Sequence, residues 1–231
     1  MKFLSLAAAA GLALIGSAMP GYADCSPGRF SGPYVGATLG IGRLDASQSS
    51  PGETDRARGR SSAVVPGGVI GYGIRCGNIV SGIEADLSYL GIKSNSSWPD
   101  PIFLRSKIDW MGTLRGRLGV LVRDDVLLYG TAGLAFADVA HTLESPTFAF
   151  SQTDTSWRTG WTLGGGLEFA HSERVNFRAE ALYVDLGADN RSYTACGGCS
   201  GDARWTDKFW VARLGMTFKL GDEPTAYAPL K

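Results

Sequence analysis

The sequence predicts an all-β fold, an eight-stranded antiparallel up-and-down barrel that crosses a membrane. Three observations carry this. Eight stretches alternate apolar residues with polar residues or glycine at a period of two, as strands do when their two faces meet different surroundings. The connections between those stretches alternate between long and short, the asymmetry of a membrane barrel with short turns at one end and long loops at the other. Within the clear strands, the charges fall on the face opposite the large apolar residues.

The first strand spans 34–41, with Val35, Ala37, Leu39 and Ile41 on one face and Tyr34, Gly36, Thr38 and Gly40 on the other. A polar stretch, 43–62, contains Pro51-Gly52 and reads as a long loop. The second strand covers 69–75, and Cys76-Gly77-Asn78 is a tight turn. The third, 80–89, sets Ile83, Ala85, Leu87 and Tyr89 against Gly82, Glu84, Asp86 and Ser88. A second loop, 91–106, leads to the central hairpin. Its first arm, 109–120, has Trp110, Gly112, Leu114, Gly116, Leu118 and Val120 on one face, with Asp109, Arg115 and Arg117 on the other. Arg123-Asp124-Asp125 turns the chain into 126–136, whose phase stays open because both faces are apolar or small.

After a third loop, 140–156, the sixth strand (160–169) opposes Trp161, Leu163, Leu167 and Phe169 to Thr162, Gly164, Gly166 and Glu168. A short turn over 171–174 precedes the seventh strand, where Phe177, Ala179, Ala181 and Tyr183 oppose Asn176, Arg178 and Glu180. The fourth loop is 187–204. The eighth strand sets Trp210, Ala212, Leu214, Met216 and Phe218 against Val211, Arg213, Gly215, Thr217 and Lys219. Strands of about ten residues suffice to cross an outer membrane. At eight strands the interior is just filled by side chains. Glu84, Asp86, Asp109, Arg115, Arg117, Glu168, Arg178, Glu180 and Arg213 are therefore expected to form a lumen charge network, near balance, that plugs the barrel.

Composition agrees. With 19% charged residues and zero net charge, the 231-residue chain has no basic excess for nucleic acid. Its 32 glycines have no collagen-like period, and close backbone approach inside a narrow barrel would account for them. The first 23 residues read as an export signal: Lys2, an apolar run over 3–15, and cleavage after Gly21-Tyr22-Ala23. Asp24 before Cys25 argues against lipidation. The expected organisation is signal peptide 1–23, leader 24–31, barrel 32–220 and polar tail 221–231, with the mature protein in the bacterial outer membrane.

Several stretches resemble small bacterial outer-membrane proteins of the immunogenic-protein or opacity type, of the porin family. They are Ser31-Gly32-Pro33-Tyr34-Val35-Gly36, Gly82-Ile83-Glu84-Ala85-Asp86-Leu87, Leu114-Arg115-Gly116-Arg117-Leu118-Gly119, the run 128–136 and the run 178–187. The resemblance covers nearly the whole mature chain and implies an eight-stranded OmpA-like barrel. It says little about activity, since such proteins serve as porins, surface antigens or haem binders. Such barrels commonly end at an aromatic residue, whereas here Phe218 is followed by a tail.

The remaining candidate sites are weighed by placement. Cys25 and Cys76 should both lie at the short-turn end, where an oxidising periplasm would join them. The competing reading leaves Cys25 free in a loose leader. Cys196 and Cys199 have redox-motif spacing but lie in a Gly-rich loop without the βαβ context of a thioredoxin, so a local disulfide is preferred to metal or redox chemistry. His171-Ser172-Glu173 superficially matches a lipid hydrolase, but it falls in a predicted turn. His141 is read as a solvated loop residue, with haem ligation as the weaker alternative. Arg56, Arg58 and Arg60 form an anion-binding candidate in the first loop, against the plainer reading of a solvated loop.

The function expected is structural and surface-interacting: envelope integrity, with loops binding partners. The alternative is a narrow porin-like channel or haem-binding receptor, and an outer-membrane lipid hydrolase ranks third. No catalytic residue, cofactor or metal is expected. The expected partners are outer-membrane lipid and lipopolysaccharide, the barrel assembly machinery, and a host surface or haem.

Overall fold

Period-two alternation runs the length of the mature chain and the backbone follows it. The computed structural model describes residues 25, 28–49, 56–97, 103–145, 150–195 and 199–221. Eight strands, β1 (Gly32–Ser49), β2 (Arg56–Cys76), β3 (Ile79–Ser97), β4 (Phe103–Arg123), β5 (Val126–Ser145), β6 (Phe150–Ala170), β7 (Val175–Ala195) and β8 (Cys199–Lys219), form a closed barrel in sequence order. Every neighbouring pair is antiparallel, and β1 meets β8 from Tyr34↔Lys219 to Ser49↔Arg204. Closure gives every strand of the membrane zone two neighbours, which lipid demands because it offers no hydrogen-bond partner. The export segment and the tail beyond Gly221 lie outside the described residues.

The outward face is apolar and open to lipid. Leu39, Ile41, Ile70, Ile83, Leu118, Leu163 and Leu214 are all at least 54% exposed, as a membrane belt requires. Aromatic rings mark its two rims. Tyr72, Phe169, Phe177 and Phe218 lie near the short turns, and Tyr89, Trp110, Trp161, Tyr183 and Trp210 lie towards the long hairpins. Such girdles sit at the membrane–water boundary. At the far rim Tyr183 packs 5.4 Å from Trp161 and 4.9 Å from Trp210, ring centre to ring centre.

The four long polar stretches expected to be loops are instead mostly strand. The β1–β2 ladder continues to Ser49↔Arg56 and β3–β4 to Ser97↔Phe103. The β5–β6 ladder reaches Ser145↔Phe150, and β7–β8 reaches Ala195↔Cys199. Beyond the belt neither face needs apolar residues, so the alternation fades while backbone pairing persists. Arg56, Arg58 and Arg60 thus belong to β2, not to a loop.

Two seams interrupt this extension. β2 pairs with β3 only from Gly67↔Ser88 to Cys76↔Ile79. β6 pairs with β7 only from Trp161↔Asp185 to Ala170↔Asn176. Beyond those points the wall divides into two four-stranded sheets, β7-β8-β1-β2 and β3-β4-β5-β6. At the first seam Pro66, which has no N–H to give a ladder, sits just past the last pair.

Glycine makes room inside. A Cβ on Gly71 would collide with the Tyr34 ring, and one on Gly166 would meet the Tyr129 ring. These inward glycines let two tyrosines lie flat within a lumen only eight strands wide, which is the close approach their abundance implied.

Candidate functional site

The lumen is stacked in three layers. At the short-turn end, Phe30, Val80, Leu121, Leu127, Tyr129 and Ala170 pack together. Towards the long hairpins lies a larger apolar cluster that includes Val65, Leu90, Ile92, Ile108, Met111, Val139, Leu182, Val184, Leu186, Phe209 and Val211, none more than 2% exposed. Between them sits a layer of charge.

β3 supplies Glu84 and Asp86, β4 Arg115 and Arg117, β6 Glu168, β7 Arg178 and Glu180, and β8 Arg213. All eight are buried. Arg115 is the hub. Its guanidinium lies 3.1 Å from Glu84, 2.8 Å from Asp86 and 3.0 Å from Glu180. Arg117 joins Glu84 at 3.1 Å and also pairs with Glu168. Arg178 reaches Glu84 at 2.6 Å, and Arg213 reaches Asp86 at 3.2 Å and Glu180 at 2.7 Å. Four carboxylates meet four guanidiniums, so the layer is neutral. Burying charge is costly unless it is paired and hydrogen-bonded, and uncharged neighbours supply further hydrogen bonds. Tyr34 donates to Glu84 (2.6 Å), Thr113 to Asp86 (2.5 Å), Tyr129 to Glu180 (3.2 Å) and Asn176 to Glu168 (2.9 Å). The Arg117 guanidinium also lies 3.9 Å over the Tyr129 ring, a cation–π contact.

Asp109, expected in this layer, is not in it. The β4–β5 register shifts between Ile108 and Met111, so alternation breaks at Asp109. Inward parity passes from odd residues below the bulge to Ile108 above it. Asp109 instead pairs with Lys107 at 2.6 Å near the far rim.

Tyr34, Thr113 and Tyr129 are network members that sequence reasoning missed as such. Thr113 already lay on the charged parity of its strand, and Tyr34 on the face of its strand opposite the apolar residues. Tyr129 lay in the strand of open phase.

The short-turn end is strapped by the N-terminal segment. Cys25 and Cys76 form a disulfide, with Cα atoms 4.0 Å apart across an antiparallel bridge. Gly28 and Ser31 form a small turn, in which the Gly28 amide donates to Ser31 Oγ at 2.8 Å. Phe30 follows with φ of 67° and only 7% exposure, its ring inside the lumen. Across the mouth Arg29 pairs with Glu173 at 3.2 Å, and Lys219 donates to the Gly28 carbonyl at 3.0 Å.

His171, Ser172 and Glu173 are exposed turn residues with separate tasks. The Ser172 hydroxyl accepts from the Val175 amide at 3.1 Å, Glu173 holds Arg29, and His171 lies against Phe177. Cys196 lies outside the described residues, as do the side chains of Cys199, His141, Arg56, Arg58 and Arg60. Among the described residues no cluster of His, Cys, Asp or Glu could hold a metal.

A closed eight-stranded barrel with a lipid-facing belt, rim aromatics and a neutral buried charge layer is what an outer-membrane protein needs. The family model described as "Outer membrane protein beta-barrel domain" matches residues 6–221. The chain belongs to the outer-membrane β-barrel protein family. This outer-membrane barrel is 30% identical over 203 residues to the 31 kDa outer-membrane immunogenic protein of Brucella melitensis, covering 81% of this chain and 84% of that one. It is 36% identical over 115 residues to a 22 kDa outer membrane protein of Rhizobium leguminosarum, about half of each chain. In fold it is similar to the outer membrane protein OprG from Pseudomonas aeruginosa, with a TM-score of 0.62 at 16% identity over 84% of this chain and 99% of that one. The protein resides in the bacterial outer membrane.

Proposed function

We propose that this outer-membrane barrel is a structural and surface-interaction protein. It contributes to envelope integrity and meets ligands or host surfaces at its long-hairpin end, which faces outward. Lipopolysaccharide surrounds the far aromatic rim, and the assembly machinery inserts the barrel. The observation that carries the reading is the three-layered lumen. Among the described residues a neutral ion-pair layer lies between two packed apolar layers, which supports working surfaces on the outside of the barrel rather than through its lumen.

Planar-bilayer recording of the purified mature protein tests this. Membranes holding many barrels should stay near the leak of protein-free bilayers. Sustained large conductance would overturn the sealed-lumen reading and favour the channel.

Orientation has its own test. An epitope tag inserted between Ser49 and Arg56 should bind antibody on intact cells. The same tag between Asp124 and Asp125 should bind only after the outer membrane is permeabilised. The opposite pattern would invert the barrel.

A further inference from the structure

The aromatic girdle towards the long hairpins is not uniform around the barrel. On β6, β7 and β8 three rings, Trp161, Tyr183 and Trp210, stand side by side. The ladders pair Tyr183 with Trp210 and Trp210 with Arg43, so on β1 a guanidinium takes the place of the next ring. Arg43 is exposed, continues the outward parity of Leu39 and Ile41, and pairs with no acid among the described residues. Lys208 lies diagonally from it across the β1–β8 ladder, exposed on the outward face of β8 and 3.1 Å from Asp185. Diagonal neighbours on one face stand about 7–8 Å apart, so the two long side chains can reach a single phosphate together.

The wall below these groups is shallow. Gly165, Ala181 and Ala212 share one register row beneath the rings. Leu39, Ile41 and Leu214 continue the exposed apolar surface towards the middle of the belt. The sector over β3, β4 and β5 differs. There Tyr89 meets Trp110 at 5.2 Å, and the charged side chains beside them are Lys107, Asp109 and Asp138, one cation against two acids. On β1, β7 and β8 the described outward side chains at this level are Arg43, Lys208 and Asp185, two cations against one acid.

A guanidinium binds phosphate through paired hydrogen bonds, and a lysine adds a point charge. The electron-rich face of an aromatic ring accepts the C–H face of a sugar. We propose that this outer face of β1, β7 and β8 binds the phosphorylated sugar headgroup of lipid A. Arg43 and Lys208 hold a phosphate, Trp210 and Tyr183 pack against the sugar, and an acyl chain follows the row of small residues. An anionic glycerophospholipid matches the cations but offers no sugar ring to the aromatics. The proposal deepens the surface-interaction reading and rests on it, since the face meets lipid A only when the long hairpins point outward.

The test places the mature protein in detergent micelles with equimolar bisphosphorylated lipid A and phosphatidylglycerol, and counts retained lipid by native mass spectrometry. Lipid A should be retained in preference. Arg43→Ala with Lys208→Ala should lower its retention about tenfold or more, and removing the lipid A phosphates should do the same. Trp210→Leu should lower retention of lipid A but not of phosphatidylglycerol. Lys107→Ala, in the other sector, should change nothing. Asp45 stands opposite Lys208 in the ladder, and Asp45→Asn should not weaken retention. Retained heat-modifiable gel mobility shows that each variant is folded.

Equal retention of the two lipids, or equal loss of both with Trp210→Leu, would make the face a general anionic-lipid surface and overturn the headgroup assignment. Full retention by the double variant, or an equal loss with Lys107→Ala, would overturn the location. Weakening by Asp45→Asn would point to an acid bridged by metal and overturn direct phosphate capture by the two cations. Retention in micelles does not depend on which end faces outward, so these failures refute the site alone. An inverted epitope-tag pattern with micellar retention intact refutes the parent reading instead, and with it the meeting with lipid A in the membrane.

Discussion

Arg115→Ala is expected to lower the free energy of unfolding by about 3–5 kcal/mol, the usual cost of removing one partner from a buried ion pair. Arg115 touches three carboxylates, Glu84, Asp86 and Glu180, and none of the four side chains has accessible surface. Removing the guanidinium leaves four acids against three arginines in a layer roofed and floored by apolar side chains. Water cannot reach the orphaned charge without breaching a packed cluster. Denaturant titration in detergent micelles should show a lower midpoint for the variant. Adding Glu180→Gln should recover part of the loss by restoring the charge balance, a coupling expected of direct neighbours. An unchanged midpoint for Arg115→Ala would mean that the lumen is wet and the layer solvated.

Cys25→Ser is expected to have the second-largest effect. The disulfide spans a sequence separation of 51, for which the chain-entropy model gives about 4 kcal/mol as an upper figure. The folded state should suffer as well, because the same segment carries Phe30 into the lumen and Arg29 to Glu173. Oxidised wild type should therefore unfold at higher denaturant than Cys25→Ser. The variant's N-terminal segment should also be cut faster by protease added from the short-turn side. Identical midpoints and cleavage rates would show that the noncovalent contacts hold the strap unaided.

The membrane half of the fold was legible in the sequence because lipid outside and charge inside impose a strict period of two. Eight charged residues keep that phase, and the structure gathers all of them into one layer. Asp109 was misplaced because a bulge adds a residue that alternation cannot reveal, and its neighbour Trp110 remained on the outward face. The polar arms were read as loops because backbone pairing beyond the belt leaves no mark on side-chain polarity. The outer apolar cluster was missed for a related reason. Leu90 and Ile92 continue the parity of Glu84 and Asp86, and Leu182, Val184 and Leu186 continue that of Glu180, so the inward face changes from charged to apolar along one strand. The Cys25–Cys76 pairing could be read because it needed only the end of the barrel at which each cysteine falls. Arg158, whose side chain donates to the carbonyls of Leu186 and Gly187 where the β6/β7 ladder parts, carries no such signal, since that role depends on a seam that appears only in the register.

The charge layer also bears on how the chain reaches its final form. Its members come from β3, β4, β6, β7 and β8, with Tyr34 of β1 completing Glu84. Each half of the chain carries two acids and two arginines, but Arg115 and Arg117 of β4 reach Glu180 of β7 and Glu168 of β6, and Arg213 of β8 reaches Asp86 of β3, so the pairing is complete only when the two halves meet. A strand that slips by one residue exchanges its faces. For β4 this would turn Arg115 and Arg117 towards lipid, at about 2–4 kcal/mol for each arginine at mid-bilayer. The interior thus penalises misthreading: a barrel with a slipped β4 carries its error as charge exposed to lipid.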